Sequence, residues 1–390
     1  MEAHLHAWIS LLIRWAHFIV GIAWIGASFY FNWLENRLRR ANQKEGVAGD
    51  LWAIHGGGFY YLKKYAVAPP QLPGDLHWFK WEAYATWLTG FALLVTVFYL
   101  QAGTYMVDGR VEGLTPALAI AIGIGSLALS WLFYDTLCRS PLAGREVLIG
   151  GLAFAWFTLL AWLLGEVLSG RAAFIHVGAA AGTVMVANVF RVIIPAQKEL
   201  VSAMAGDREP DAGKAAAALQ RSRHNNYFTL PVLFIMISSH FPATYGHQRN
   251  WLVLVLLSLS GIAVRHYFNI RHLEGSRMWP LLPAAVLLAL AVWISAPGTR
   301  APEGGDKDRV NVVAIVQERC APCHSATPVY PGFTTAPLGI ELDTAEQVNG
   351  LADRIYQASS VTRTMPLGNV TQMSDSERRA IADWYSGREQ

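Results

Sequence analysis

Cys320-Ala321-Pro322-Cys323-His324 stands near the C-terminal end of the 390-residue chain. Two cysteines spaced C-x-x-C and followed at once by His form the attachment signature of a c-type haem. The spacing has a mechanical reason. The two thiols reach the two vinyl groups of one macrocycle, and the adjacent imidazole lies under the iron as its proximal ligand. A redox dithiol has no need of the His, and a zinc site would want a second Cys pair. The third cysteine, Cys138, is far away in sequence. A c-type haem is attached on the outer, oxidising side of a bacterial membrane, so the motif also sets a compartment.

The composition explains why a membrane is involved. Hydrophobic residues make up 53% of the chain and charged residues only 15%, against about 25% charged in an ordinary soluble protein. This is a lipid-embedded protein with a soluble piece attached. The net charge of +3 averages two unlike regions. No basic run or motif points to nucleic acid, and none is expected as a partner. The first apolar stretch is too long for a cleavable leader and lacks a small-residue cleavage site.

Eight segments approach the roughly 20 apolar residues that a bilayer-crossing helix needs. They lie near residues 8–34, 81–101, 115–137, 147–168, 174–194, 226–241, 251–271 and 279–296. The sixth is short and holds Pro231, which predicts a kinked or re-entrant helix. Lys and Arg orient them. Arg37, Arg39, Arg40, Lys44, Lys63 and Lys64 follow the first span, and Arg139 and Arg145 the third. Lys198, Arg208, Lys214, Arg221 and Arg223 follow the fifth, and Arg271 and Arg277 the seventh. The alternate loops hold only Arg110, Arg171 and Arg249. By the positive-inside rule the rich loops are cytoplasmic and both termini periplasmic, the side where the haem motif must be.

The fold expectation is therefore all-α: an eight-span transmembrane bundle over residues 1–296, a Pro/Gly linker over 297–308, and a small class I cytochrome c domain over 309–390 in the periplasm. Within the last, a helix over 310–319 leads into the haem motif. Ser374 followed three residues on by Glu377 is a capping box opening a terminal helix. The distal ligand is a Met from a loop after the middle helix. Met365, in a Pro/Gly loop, is favoured over Met373, which immediately precedes the capped helix. The cytoplasmic segment with His55-Gly56-Gly57-Gly58-Phe59-Tyr60 has two readings: close backbone approach to a ligand, or a flexible turn in an interfacial aromatic belt.

Histidines inside spans are costly and usually face a site. His17 sits deep in the first span, on one face with Arg14, Gly21, Trp24 and Ser28. It is the expected ligand of a membrane haem b, with His176 or His240 as its partner, since both lie toward the periplasmic side. Toward the cytoplasm, Arg191 (beside Asn188), Arg223, His224, Asn225, Asn226, Arg265 and Asn269 form a candidate set of amide and guanidinium donors suited to a planar, carbonyl-rich anion. Interfacial snorkelling is the alternative for Arg191 and Arg265.

Several strings resemble the bacterial membrane-bound urate oxidase (urate hydroxylase) family. They are residues 17–26 (HFIVGIAWIG), 55–60 (HGGGFY), 224–231 (HNNYFTLP) and 364–369 (TMPLGN). The His-to-Trp spacing in the first span also resembles, over a short stretch, the CopD-like and protoporphyrinogen-oxidase membrane families. The main resemblance implies an eight-span domain fused to cytochrome c. It implies oxidation of urate to 5-hydroxyisourate in the bacterial inner membrane. Electrons would go to haem c, then to a periplasmic acceptor or terminal oxidase, and not to oxygen directly. On that reading His224, Asn225 and Asn226 are catalytic candidates, and Arg191, Arg223, Arg265 and Asn269 substrate-binding candidates. A quinol-dependent haem relay with no purine substrate is the rival reading, and a non-enzymatic assembly or transport protein a second.

The charge asymmetry carries a topology prediction. Reporter fusions after Arg40 and after Arg223 read cytoplasmic, and one after Asp308 reads periplasmic. A cytoplasmic reading at Asp308 contradicts both the charge pattern and the haem chemistry.

Overall fold

Small residues set the architecture. Residues 178–182 read Gly-Ala-Ala-Ala-Gly, a stretch that lets neighbouring helices approach closely. The computed structural model, which describes residues 2–41, 44, 46–108, 111–272, 277–296, 311–331, 333 and 335–388, places this stretch on the most enclosed helix. We label the helices α1 (Glu2–Arg37), α2 (Trp81–Tyr99), α3 (Pro116–Arg139), α4 (Glu146–Val167), α5 (Gly170–Ala205), α6 (Ala212–Ser238), α7 (Asn250–Ile270) and α8 (Leu281–Ser295). Helix α5 packs on α2, α3, α4 and α6. A methyl on Gly178 would fall 2.5 Å from Ile235 of α6. Helix α1 runs along the outside against α2 and leaves most of its apolar surface uncovered.

Each of the eight segments read from the sequence falls on one of these helices. Six, namely α1 to α5 and α7, are long and apolar enough to cross a bilayer. Helix α8 is apolar but has only 15 residues. Helix α6 has 27 residues, beginning at Ala212 and not near 226. Its first half carries Lys214, Arg221, Arg223 and His224, too polar for the bilayer core. Asp211 caps it by accepting from Gly213 N at 2.9 Å and Lys214 N at 3.1 Å. Pro231 lies inside α6 without ending it.

The protein is 69% helix and 6% strand, so the helical class holds, with one addition. The segment after α1 forms an antiparallel hairpin, β1 (Val47–His55) and β2 (Gly58–Tyr65). Gly56 and Gly57 take φ +57° and +83°, the left-handed pair that a tight two-residue hairpin turn needs. Nothing lies within 4 Å of a Cβ built on either. These two glycines thus serve the turn, and no close approach to a neighbour requires them. Trp52 and Tyr61 pair across the strands at 4.7 Å.

The linker over 297–308 lies outside the described residues. Beyond it, α9 (Val312–Arg319), α10 (Ala345–Gly350), α11 (Ala352–Tyr356) and α12 (Asp375–Ser386) surround Val316, Val348, Ile355, Met373 and Ile381. The capping box at Ser374 and Glu377 is formed, and a second, at Thr344 and Gln347, opens α10. This domain touches the bundle at the helical turn Ala102–Tyr105 and at Gly246 in the loop between α6 and α7.

The α5–α6 contact can be tested by filling it. Gly178→Leu should cost about 1–3 kcal/mol through overpacking, read as a lower melting temperature in detergent. Gly182→Leu, where nothing lies within 4 Å of the Cβ position, should melt like the wild type.

Candidate functional site

The end of the bundle away from the C-terminal domain gathers buried polar side chains. Asn188 ends the regular part of α5, just before a widened π turn at Val189–Ile193. Its amide nitrogen donates to Asn225 Oδ1 at 2.8 Å, and its oxygen accepts from Arg221 at 3.1 Å. Asn225 donates to the Met185 carbonyl at 2.9 Å. Arg221, 3% exposed, donates to Asp135 Oδ1 at 2.9 Å and lies over the Tyr134 ring. Arg139 holds the other Asp135 oxygen at 2.7 Å. The Tyr134 hydroxyl meets His224 Nδ1 at 2.7 Å. Polar groups in an apolar bundle have to be paired in this way.

Three described residues break this rule, Glu82, Arg171 and Asn226, and of these Asn226 lies on α6 directly beside the cluster. It follows Asn225 on α6, and successive helical residues do not face the same way, so it meets a second set of partners. Its Oδ1 accepts from Arg265 Nε at 2.8 Å and Asn269 Nδ2 at 3.0 Å. Arg265 can only donate, which fixes the amide orientation. The Asn226 Nδ2 group is fully buried and has no partner. An unmet buried donor costs about 1–3 kcal/mol, so it marks a place where an acceptor belongs. The Arg265 guanidinium also lies 4.0 Å over the ring of Phe29, a residue of α1.

The candidates fall in two groups: His224 and Asn225 meet Tyr134 of α3 and Asn188 of α5, while Asn226 meets Arg265 and Asn269 of α7. Two others join neither group. Arg191 is exposed on the outer side of the π turn, where snorkelling describes it. Arg223 is exposed and paired with Glu146 at 3.1 Å. The sequence reading missed Tyr134, Asp135, Arg221 and Phe29. Asp135, an acid near the end of an apolar span, was the available signal; Phe29 carried none.

In the C-terminal domain the residues present fit a c-type haem. Cys320 and Cys323 are free thiols. His324 Nδ1 faces the Ile340 carbonyl at 3.1 Å; since a carbonyl only accepts, Nδ1 carries the proton and Nε2 is left to ligate. Burial lowers the proton affinity of His324, favouring the neutral ligating form, and pushes the Cys320 thiol up to about 12. Met373 is in the core, whereas Met365 sits part-exposed on a loop held from behind. The buried Arg378 donates to Met365 O at 2.7 Å, to Asn369 Oδ1 at 3.0 Å and to Ser359 O.

The three membrane histidines are not brought together. His17 Nδ1 contacts Thr89 Oγ1 at 2.9 Å and Thr86 O at 3.1 Å, and the ring lies against Gly90. His176 is fully buried, with Nδ1 on the Ala172 carbonyl at 2.8 Å and Nε2 facing the Tyr99 hydroxyl at 3.3 Å. A methyl on Gly123 would be 2.5 Å from that Nε2. Gly90 and Tyr99 are nine residues apart on α2, about 13 Å along its axis. His240 is exposed beyond the end of α6. This arrangement does not fit a haem held between two of them, so no step is routed through a membrane haem.

Fold and site define a bundle of membrane-length helices with a buried amide–guanidinium cluster, joined to a small helical domain that carries a haem-attachment motif. The family model described as urate oxidase N-terminal matches residues 3–296, and the chain belongs to that family. Neither the curated proteins nor the solved structures gave a match. Membership points to a urate-related oxidative function, with urate as the implied substrate.

Cys320→Ala or Cys323→Ala should abolish normal covalent haem attachment, measured on the denatured protein. Met365→Ala should weaken the Met-to-iron absorption band. Met373→Ala should keep the band and instead lower stability by about 2–5 kcal/mol, as core truncation does.

Proposed function

We propose that the protein is a membrane-bound urate hydroxylase that passes electrons to its own haem c. The observation that carries this reading is the partnerless Asn226 amide nitrogen, whose oxygen is held by Arg265 and Asn269, in a chain of the urate oxidase N-terminal family. Urate is a flat monoanion near neutral pH, with carbonyl acceptors around its rim. Asn226 Nδ2 donates to one such carbonyl. Arg265 supplies the opposite charge, held flat against Phe29, and Asn269 adds an amide at the rim. His224, on the α6 face that meets Tyr134, supplies the neutral imidazole at this end of the bundle as the base of the reaction. Urate and water give 5-hydroxyisourate, two protons and two electrons. Haem c, when bound through Cys320, Cys323, His324 and Met365, accepts electrons one at a time.

The orientation follows from the same reading. The Lys/Arg-rich loops and the polar cluster are at one end of the bundle and the C-terminal domain is at the other. The urate site is then cytoplasmic and the haem periplasmic, in a bacterial inner membrane. The acceptor after haem c is a periplasmic carrier or terminal oxidase.

Asn226→Ala and His224→Ala should each slow urate-driven haem reduction at least about tenfold, the scale of one lost buried hydrogen bond. Reduction by dithionite and haem content should not change. Arg191→Ala and Arg223→Ala, outside the cluster, should keep the wild-type rate. Haem reduction by quinol but not by urate would replace this reading with the quinol relay.

A further inference from the structure

The C-terminal domain and the bundle meet across two glycines, one on each side. A methyl on Gly368 would lie 2.6 Å from the carbonyl oxygen of Thr104 and 3.5 Å from that of Val107. A methyl on Gly246, in the loop between α6 and α7, would lie 2.6 Å from the carbonyl oxygen of Thr362 and 2.7 Å from Thr364 Cγ2. Each domain therefore leaves out a side chain where the other's backbone arrives. The arriving segment, residues 362–369, is the loop that carries Met365 and is clamped by Arg378. Beside it, a groove joins Tyr99, Thr104 and Pro116 of the bundle to Pro331 and Phe333 of the C-terminal domain.

Tyr99 leads inward from this groove. Its ring stacks on His176 at 5.8 Å, and Phe98 meets His176 edge-on at 6.2 Å. Tyr105 meets Phe98 at 6.1 Å. Packed atoms thus continue from the contact into the bundle. Electron tunnelling weakens exponentially with distance and is poorer through gaps than through packed matter, so a contact this close favours transfer.

Building on the function proposed above, we infer that residues 362–369, seated between Gly246 and Thr104, form the port through which electrons pass from the bundle to the haem c domain. The loop that supplies the distal ligand is also the docking element. The haem is thereby brought to the bundle by its own coordination loop, and transfer does not depend on chance collisions of a tethered domain.

The test uses the full-length, haem-loaded protein in detergent. A photo-crosslinking benzoylphenylalanine at Thr104 reports docking, and a protease site placed within residues 297–308 separates the two pieces, so only docked molecules stay covalently joined. Gly246→Val presses on the arriving loop. Because the Pro242 carbonyl of its own turn is also close, at 2.8 Å, Phe333→Ala thins the contact independently from the other side. Both variants should lose crosslinking and slow urate-driven haem reduction by about tenfold, as a preformed contact gives way to a tethered encounter. The oxidised spectrum, with its Met-to-iron band, and reduction by dithionite should stay unchanged. If Gly246→Val does not accumulate, Phe333→Ala carries the same expectations. The port is overturned if crosslinking is lost while the urate-driven rate holds, or if the wild type forms no crosslink. Crosslinking in a wild type that urate does not reduce at all would sink the urate reading, and the port with it, while leaving the docking itself in place.

Discussion

A guanidinium cannot stand alone inside an apolar bundle, and Arg221 is one that the whole polar end is built around. It is 3% exposed, and its partners come from two other helices: Asp135 on α3 and Asn188 on α5. Leaving such a charge unpaired costs about 3–5 kcal/mol. The pairing therefore fixes the mutual register of α3, α5 and α6. Once these helices are locked, Asn225 reaches the Met185 carbonyl, His224 reaches Tyr134, and Asn226 is turned toward α7. The placement of Asn226 is thus a consequence of a neutralised charge nearby.

Much of this was legible along the chain. Long apolar runs locate helices because a backbone in an apolar medium must bond to itself, and the eight segments found in this way all fell on helices. The start of α6 was misplaced because hydropathy reports the medium and not the helix: residues 212–225 are helical but polar. The hairpin escaped because Trp52, Ile54, Phe59 and Tyr61 are all exposed, so the in–out alternation of a half-buried strand is absent. In the sequence only the Gly56-Gly57 pair marks it, and that is a turn signal which a loop also shows.

The site was legible in type but not in membership. Arg191 and Arg265 look alike in sequence, each an Arg near the end of an apolar helix with an Asn within one turn. Only packing separates them: Phe29 of the distant α1 covers Arg265, while Arg191 is exposed. His176 shows the same limit. Its position promised a ligand, but a carbonyl and a tyrosine take both ring nitrogens. The C-terminal domain was easier, since the haem motif and the capping box are local in sequence. The clamp by Arg378 on the Met365 loop joins residues 13 apart on different elements, and no local pattern announces it.

One helix ties the two ends together. Helix α5 carries His176 near the docking face and Asn188 in the polar cluster, 12 residues apart and so about 18 Å along the axis. A rigid helix buried on most sides keeps that separation constant, since changing it would break close contacts at Gly178 and Gly123. The chain departs from regular helix near both places: α5 widens into a π turn directly after Asn188, and α2 does so at Leu94–Tyr99, ending on the tyrosine that meets His176. A π turn inserts an extra residue and re-aims the side chains that follow it. On the proposed reading regular helix spans the distance between the ends, while the irregular turns fall at its limits, one beside the substrate cluster and one beside the port.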